Sequence, residues 1–257
     1  MSRPNLHRIL VLLLVLLPLF TILYLSLVTQ WSYPQLLKAD YTLRYWRDLL
    51  ADRDGLPGSL LLSLFIATFQ GSMATTFAFP VSRQLMEQPR LRRLLKLAYY
   101  PYLIAPVVLG TMLQVYFIQL GLNGALAGVL LAQALFIIPF SVLLLSTFWN
   151  ERTRQIAFQA SSLGAGNWQL YRTVLLPMAQ PWLLLSFTLC FLVSWFEYGI
   201  TQLIGVGKVE TLTIRVMQYV QEANPHQAAL AACLMIVPVV ALLLVLLRIF
   251  IKRGIRT

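Results

Sequence analysis

Charge is scarce in this chain of 257 residues: only 11% are Asp, Glu, Lys or Arg, while 59% are hydrophobic. Soluble domains carry about 25% charged and about 45–50% apolar residues, so a soluble globular fold is excluded and the chain reads as a membrane protein. No stretch is long and polar enough for a separate soluble catalytic domain, which excludes a fused ATPase or kinase. Histidine occurs only as His7 and His226, at opposite ends of the chain. No GxSxG, HExxH, paired-Asp or Gly-rich P-loop pattern is present. An intramembrane hydrolase would need a nucleophile with its base, or a His and carboxylate cluster for a metal, and neither is in the sequence. We therefore expect no catalytic residue, no metal site and no cofactor bound by this chain. Cys190 and Cys233 both lie in apolar runs without a second ligand type, so they read as small core residues and suggest neither a disulfide framework nor a zinc site.

What the chain has in quantity is apolar length. A helix needs about 20 mostly apolar residues to cross the hydrocarbon layer, where only a helix satisfies its own backbone. Six segments qualify, at about 9–28, 59–80, 97–120, 125–148, 182–204 and 227–251. The first follows Arg3 and Arg8 as a signal peptide would, but it is too long for one and lacks a cleavage site, so it reads as an uncleaved helix. The 54 residues Leu97 to Asn150 contain no charged side chain. As helix they would measure roughly 81 Å, enough for two crossings, and Gly121-Leu122-Asn123-Gly124 divides them.

The charges that exist sit between these spans. Fourteen Lys and Arg fall on one side, near the N-terminus and in 83–96, 152–172 and 248–256. The other side holds six (Lys38, Arg44, Arg47, Arg53, Lys208 and Arg215), matched by six acids, Asp40, Asp48, Asp52, Asp54, Glu210 and Glu222. The positive-inside rule then places both termini in the cytoplasm and the loops 29–58 and 205–226 outside. The net charge of +11 is thus a signature of topology, not of nucleic-acid binding. The cluster Arg90, Arg92, Arg93 and Lys96 reads as a stop-transfer anchor and a contact for anionic membrane lipid. Trp31, Tyr33, Tyr41, Tyr45 and Trp46 in the first outer loop suit the headgroup level, or alternatively a surface that docks a soluble partner outside.

The most specific segment is the cytoplasmic connection 149–181. A periodic stretch from Glu151 to Leu163 stops at Gly164, and a second short helix restarts through Trp168 and Tyr171. Pro177 and Pro181 are expected to break the chain before the next span. Two short helices would meet at a glycine hinge, a geometry that permits positive φ or close backbone approach to a partner's cleft.

Here the chain resembles the permease subunits of binding-protein-dependent ABC importers. Their cytoplasmic loop carries Glu-Ala-Ala, three residues, Gly, nine residues, then Ile-x-Leu-Pro. Ala160, Gly164, Val174, Leu176 and Pro177 stand at those spacings, with Phe158 in place of the Glu and Gln159 in place of the first Ala. Further on, Tyr100-Pro101, Ala105 to Gly110, Ala134-Leu135 and Ile138-Pro139-Phe140 look like the family's third and fourth helices. Ser194-Trp195-Phe196-Glu197-Tyr198 looks like the Ser-Phe-Asp-Glu-Phe region of polyamine-type permeases, in a branch that includes ferric-ion, thiamine and phosphonate importers.

The resemblance implies an all-α membrane protein of six spans in a single transmembrane domain, residues 1–257, lying in the bacterial inner membrane. It implies that Ala160, Leu163, Gly164, Ala165, Val174, Leu176 and Pro177 form a coupling loop that docks on a cytoplasmic ATPase subunit dimer. ATP and Mg would be bound there and not by this chain. A second permease subunit, identical or homologous, and an external solute-binding protein would complete the importer. Glu197 stands out without any family, 15 residues beyond Trp182 and hence roughly 22 Å along a helix. A carboxylate at that depth must face protein or water, either as a structural hydrogen-bonding group or as a translocation-path residue meeting a polyamine or other cationic solute. A secondary transporter and a non-transporting assembly subunit are the alternatives; the first is weakened by the want of a second intramembrane carboxylate or His for an ion relay.

Overall fold

The structure, a computed structural model, describes residues 4–28, 41–42, 46–47 and 55–254. Expectations that fall on Arg3, Trp31, Tyr33, Lys38, Asp40, Arg44, Tyr45, Asp48, Asp52, Arg53, Asp54 and Arg256 lie outside the described residues. In chain order, α1 is Pro4–Ser26 and α2 Leu56–Glu87; a 3₁₀ helix follows at Leu91–Leu103, then α3 at Pro106–Gln119 and α4 at Leu126–Ser146. Next come α5 at Glu151–Ser162, α6 at Asn167–Trp195, α7 at Gly199–Gly205, α8 at Leu212–Gln221 and α9 at Pro225–Gly254. Among the described residues the one β feature is an isolated antiparallel bridge between Val28 and Tyr41. The fold is all-α, as its sequence suggests. Helices α2, α4, α6 and α9 are each long and apolar enough to cross a membrane, and the 3₁₀ helix with α3 makes a fifth such element as a bent pair. Helix α1 covers most of the first expected span.

Three expectations are corrected. The segment 97–120 is not one straight helix, because the 3₁₀ helix and α3 meet at an angle of 97°. Its cause lies at Pro106: the ring drives Ala105 out of the helical region to ψ 140, and the missing N–H suits the first turn of a new helix. The segment 182–204 is broken as well, since α6 ends at Trp195 and α7 begins at Gly199. Pro177 and Pro181, conversely, do not break the chain and lie within the continuous α6. A π-helical turn at Leu170–Leu175 precedes them, with the Leu176 amide donating to the Tyr171 carbonyl, and Pro177, which has no N–H to give, follows directly after it.

The chain divides into two compact units, Met1–Leu62 with Glu210–Val240, and Ser63–Val209 with Ala241–Thr257. Within the first, His226 Nδ1 lies 3.0 Å from the carbonyl oxygen of Leu25, and Arg215 pairs with Glu210. In the second, α4 is the central element, packed on α6, α7 and the 3₁₀ helix, and it buries Val129, Ala132, Gln133, Ile137, Ser141 and Leu145. The tight turn expected at 121–124 is present, with Gly121 and Gly124 both at positive φ. Close approach of α3 and α7 depends on a missing side chain: a Cβ on Gly199 would lie 2.5 Å from Val107 Cγ2.

Candidate functional site

The connection between α4 and α6 builds a surface. Asn150 caps α5, its side chain accepting from the Thr153 amide at 3.0 Å, while the Thr153 hydroxyl donates to the Phe148 carbonyl at 2.9 Å. The helix ends in a paired motif: the Gly164 amide donates to Ser161 O at 3.0 Å and the Ala165 amide to Ala160 O at 3.2 Å. That pairing requires a left-handed residue at the turn, and Gly164 supplies it with φ +88. Gly166 then starts α6, so the glycine hinge between two helices is as expected.

The seven residues singled out in this loop divide by direction. Ala160 and Val174 pack inward against a core of Ala78, Phe79, Val142, Leu145, Phe148, Leu170, Leu175 and Ala179. Ala165 is half-buried, whereas Gly164, Leu176 and Pro177 are exposed and Leu163 is 89% exposed. Phe158 at 73% and Trp168 at 76% exposure add to Leu163 as large apolar side chains that this loop leaves uncovered. Sequence reading missed what holds the loop to α2. The Arg83 guanidinium lies 4.7 Å from the Tyr171 ring centre and 6.0 Å from that of Trp149, and it pairs with Glu87 at 2.6 Å. The Trp149 indole N–H donates to the Ser82 hydroxyl at 2.8 Å. Arg83 precedes its acid by one helical turn, but its aromatic partners lie 66 and 88 positions away, so no local pattern could have shown them.

Glu197 sits in the break between α6 and α7. Its Oε1 accepts from the Ile200 amide at 2.6 Å, and its Oε2 from the Thr201 amide at 2.9 Å and the Thr201 hydroxyl at 2.5 Å. The carboxylate therefore covers the free amides at the start of α7, where the helix dipole also favours a negative charge. Behind it, the Gln133 amide donates to Thr201 Oγ1 at 2.8 Å and accepts from the Ser194 hydroxyl at 2.6 Å. Gln133 and Thr201 are fully buried and Glu197 is half-buried. Gln133 is a second residue that sequence reading passed over; the signal was an isolated amide in an apolar span. A separate hydroxyl cluster ties α2, α4 and α6 together, with Ser186 2.7 Å from Ser141 and 3.3 Å from Thr75. Among the described residues no group of three His, Cys, Asp or Glu could hold a metal.

The apolar helical bundle has counterparts among known proteins. The fold resembles a chain of the MetNI methionine ABC transporter in inward-facing conformations, with a TM-score of 0.61 and 18% identity over 76% of this chain and 94% of that one. No protein-family profile matches the chain. It is 31% identical over 241 residues to a protein of Salmonella typhimurium named as a 2-aminoethylphosphonate transport system permease, covering 92% of this chain and 89% of the relative. It is 24% identical over 202 residues to the spermidine/putrescine transport system permease PotC of Escherichia coli K12, covering 76% and 75%. The chain belongs to the family of ABC importer permeases, and it is an integral membrane transport subunit.

Proposed function

We propose that this chain is one of the two permease subunits of a type I importer, with all 257 residues serving one transmembrane domain. Six spans place both termini in the cytoplasm of a bacterial cell and the loops 29–58 and 205–226 outside, where a solute-binding protein delivers the cargo. The partners are a second permease, identical or homologous, and a cytoplasmic ATPase dimer that carries the ATP and Mg; this chain binds no cofactor of its own. Leu163, Gly164 and Ala165 form the tip that enters the ATPase groove, Ala160 and Val174 fasten that tip to the core, and Leu176 and Pro177 carry the chain back into the membrane.

One observation carries this reading: Phe158, Leu163 and Trp168, all in this one loop, are large apolar side chains left mostly exposed by the described chain. Exposed apolar side chains concentrated in one segment suit a docking surface. The test is co-purification in mild detergent, with a photo-crosslinker introduced at Leu163. Crosslinking to an ATPase subunit is the expected result, and recovery of the chain with no ATPase would turn the assignment to a non-transporting assembly subunit.

For the solute, the names of the two relatives share one chemical group, because 2-aminoethylphosphonate and putrescine both carry a primary ammonium. Glu197 is the one acid inside the expected spans, and the residue is half-buried and not sealed in the core. We assign it to the translocation path, where a carboxylate in a partly dehydrated cavity attracts an ammonium strongly. Uptake of 2-aminoethylphosphonate and of putrescine by the wild type and by Glu197→Gln, at matched membrane abundance, tests this. Equal uptake by both would remove Glu197 from the path.

A further inference from the structure

We propose that the 3₁₀ helix Leu91–Leu103 and α4 form a built binding site for an anionic phospholipid, with a cationic ladder for the headgroup and an apolar groove for one acyl chain. The geometry follows from the helix type. With three residues per turn, side chains at every third position eclipse one another. Arg90, Arg93, Lys96, Tyr99 and Tyr102 recur at that interval. In an α-helix the same five would spiral around the axis; here they make one straight edge, positive at one end and aromatic at the other. The edge Leu91, Leu94, Leu97, Tyr100 and Leu103 runs beside it, and Leu94, Leu97 and Leu103 are exposed.

Both ends are fixed to the bundle, the cationic one through Leu95 packed against the core, while the cationic side chains themselves are exposed. The Tyr102 hydroxyl donates to the Phe136 carbonyl of α4, and its ring lies 4.7 Å from that of Phe136 and 6.2 Å from that of Phe140, centre to centre. Tyr99, Tyr102, Phe140, Leu143 and Leu144 then line a shallow, open and almost wholly apolar groove between the two helices. Arg90, Arg92, Arg93 and Lys96 are exposed and have no ion-pair partner among the described residues. No acid occurs in the sequence between Glu87 and Glu151 to neutralise them. The 97° turn into α3 sets this element at a right angle, within a few degrees, to the helix that follows it. A row of cations one helical turn from a groove without polar lining, since Lys96 precedes Tyr99 by three residues, matches a phosphate ester joined to a hydrocarbon chain. A soluble anion would leave the groove empty, and an apolar molecule would leave the cations unpaired.

The test uses the full-length protein in nanodiscs of palmitoyl-oleoyl phosphatidylglycerol and phosphatidylcholine in equal amounts, followed by detergent extraction and mass spectrometry of the lipid retained. Phosphatidylglycerol should be enriched over phosphatidylcholine. Arg93→Gln with Lys96→Gln should reduce that enrichment by about thirtyfold at most, or about fivefold for each cation removed. Arg93→Lys with Lys96→Arg should retain it, and Leu143→Trp, which fills the groove, should release lipid with the cations intact. Retention of both lipids in the bulk ratio by the wild type would overturn the proposal whether or not any variant inserts. So would unchanged enrichment in the double glutamine variant, or displacement of the lipid by soluble glycerol phosphate at equal concentration, which would show the groove to be idle.

Discussion

The Glu197 carboxylate closes on Thr201 twice, accepting from its amide at 2.9 Å and from its hydroxyl at 2.5 Å. The buried Gln133 amide donates to that same hydroxyl. Thr201 Oγ1 thus has one proton to give and Glu197 receives it, so the hydrogen bonds run in one direction, from Gln133 through Thr201 to Glu197.

This direction makes the residues separable by mutation. Thr201→Val keeps the shape and the backbone bond but leaves the Gln133 N–H without an acceptor and removes one bond from Glu197. We expect a loss of about 1–3 kcal/mol in unfolding free energy of the purified protein. Thr201→Ser should recover most of it, and a drop in neither variant would show that the hydroxyl carries no stability.

Gln133→Leu strips partners from both Ser194 and Thr201 in the buried interior. A destabilisation of about 1–3 kcal/mol is expected by thermal unfolding in detergent, and the double variant with Ser194→Ala should cost less than the sum of the two. Additive losses would mean that the two groups do not form one network.

At Gly164 there is open space beyond the missing Cβ, so a larger side chain meets nothing in this chain. The φ of +88 nevertheless disfavours any L-residue, and Gly164→Ala should destabilise the loop by about 1–2 kcal/mol while leaving the chain in the membrane. Gly164→Trp should in addition abolish transport-coupled ATP hydrolysis in the assembled importer. Normal uptake by the Trp variant would show that the tip stays outside any groove.

Phe158 stands where the family motif has an acid, and it is exposed beside Leu163. A contact made mainly by apolar side chains is not screened by ions, so raising salt from about one Debye length of 10 Å to one of 3 Å should change ATPase co-purification little. Leu163→Asp should abolish it at unchanged protein abundance, because the side chain touches little of its own fold. Dissociation by salt alone would point to charged partners such as Arg154 instead.

Composition and hydropathy were sufficient to define an apolar helical membrane protein, because the membrane admits so few ways to satisfy a backbone. The positions of α2, α4 and α9 and the hinge at Gly164 were legible for the same local reasons: uninterrupted apolar length and a residue that tolerates positive φ. Proline was harder to read. Pro106 starts a helix at a 97° bend, while Pro177 lies inside α6 after a π-turn, and the difference depends on neighbouring carbonyls that the one-dimensional pattern does not order. Glu197 marked an important place in the sequence, yet its partner Thr201 comes from the next helix, and Gln133, which donates to Thr201, from a helix 64 positions before Glu197. Only the packing of α4 against α6 and α7 brings a lone amide to that hydroxyl. Likewise the row of Arg93, Lys96, Tyr99 and Tyr102 exists because the segment adopts three residues per turn, and the seat of Tyr102 on Phe136 and Phe140 is a contact between positions 34 and 38 apart that no local pattern shows.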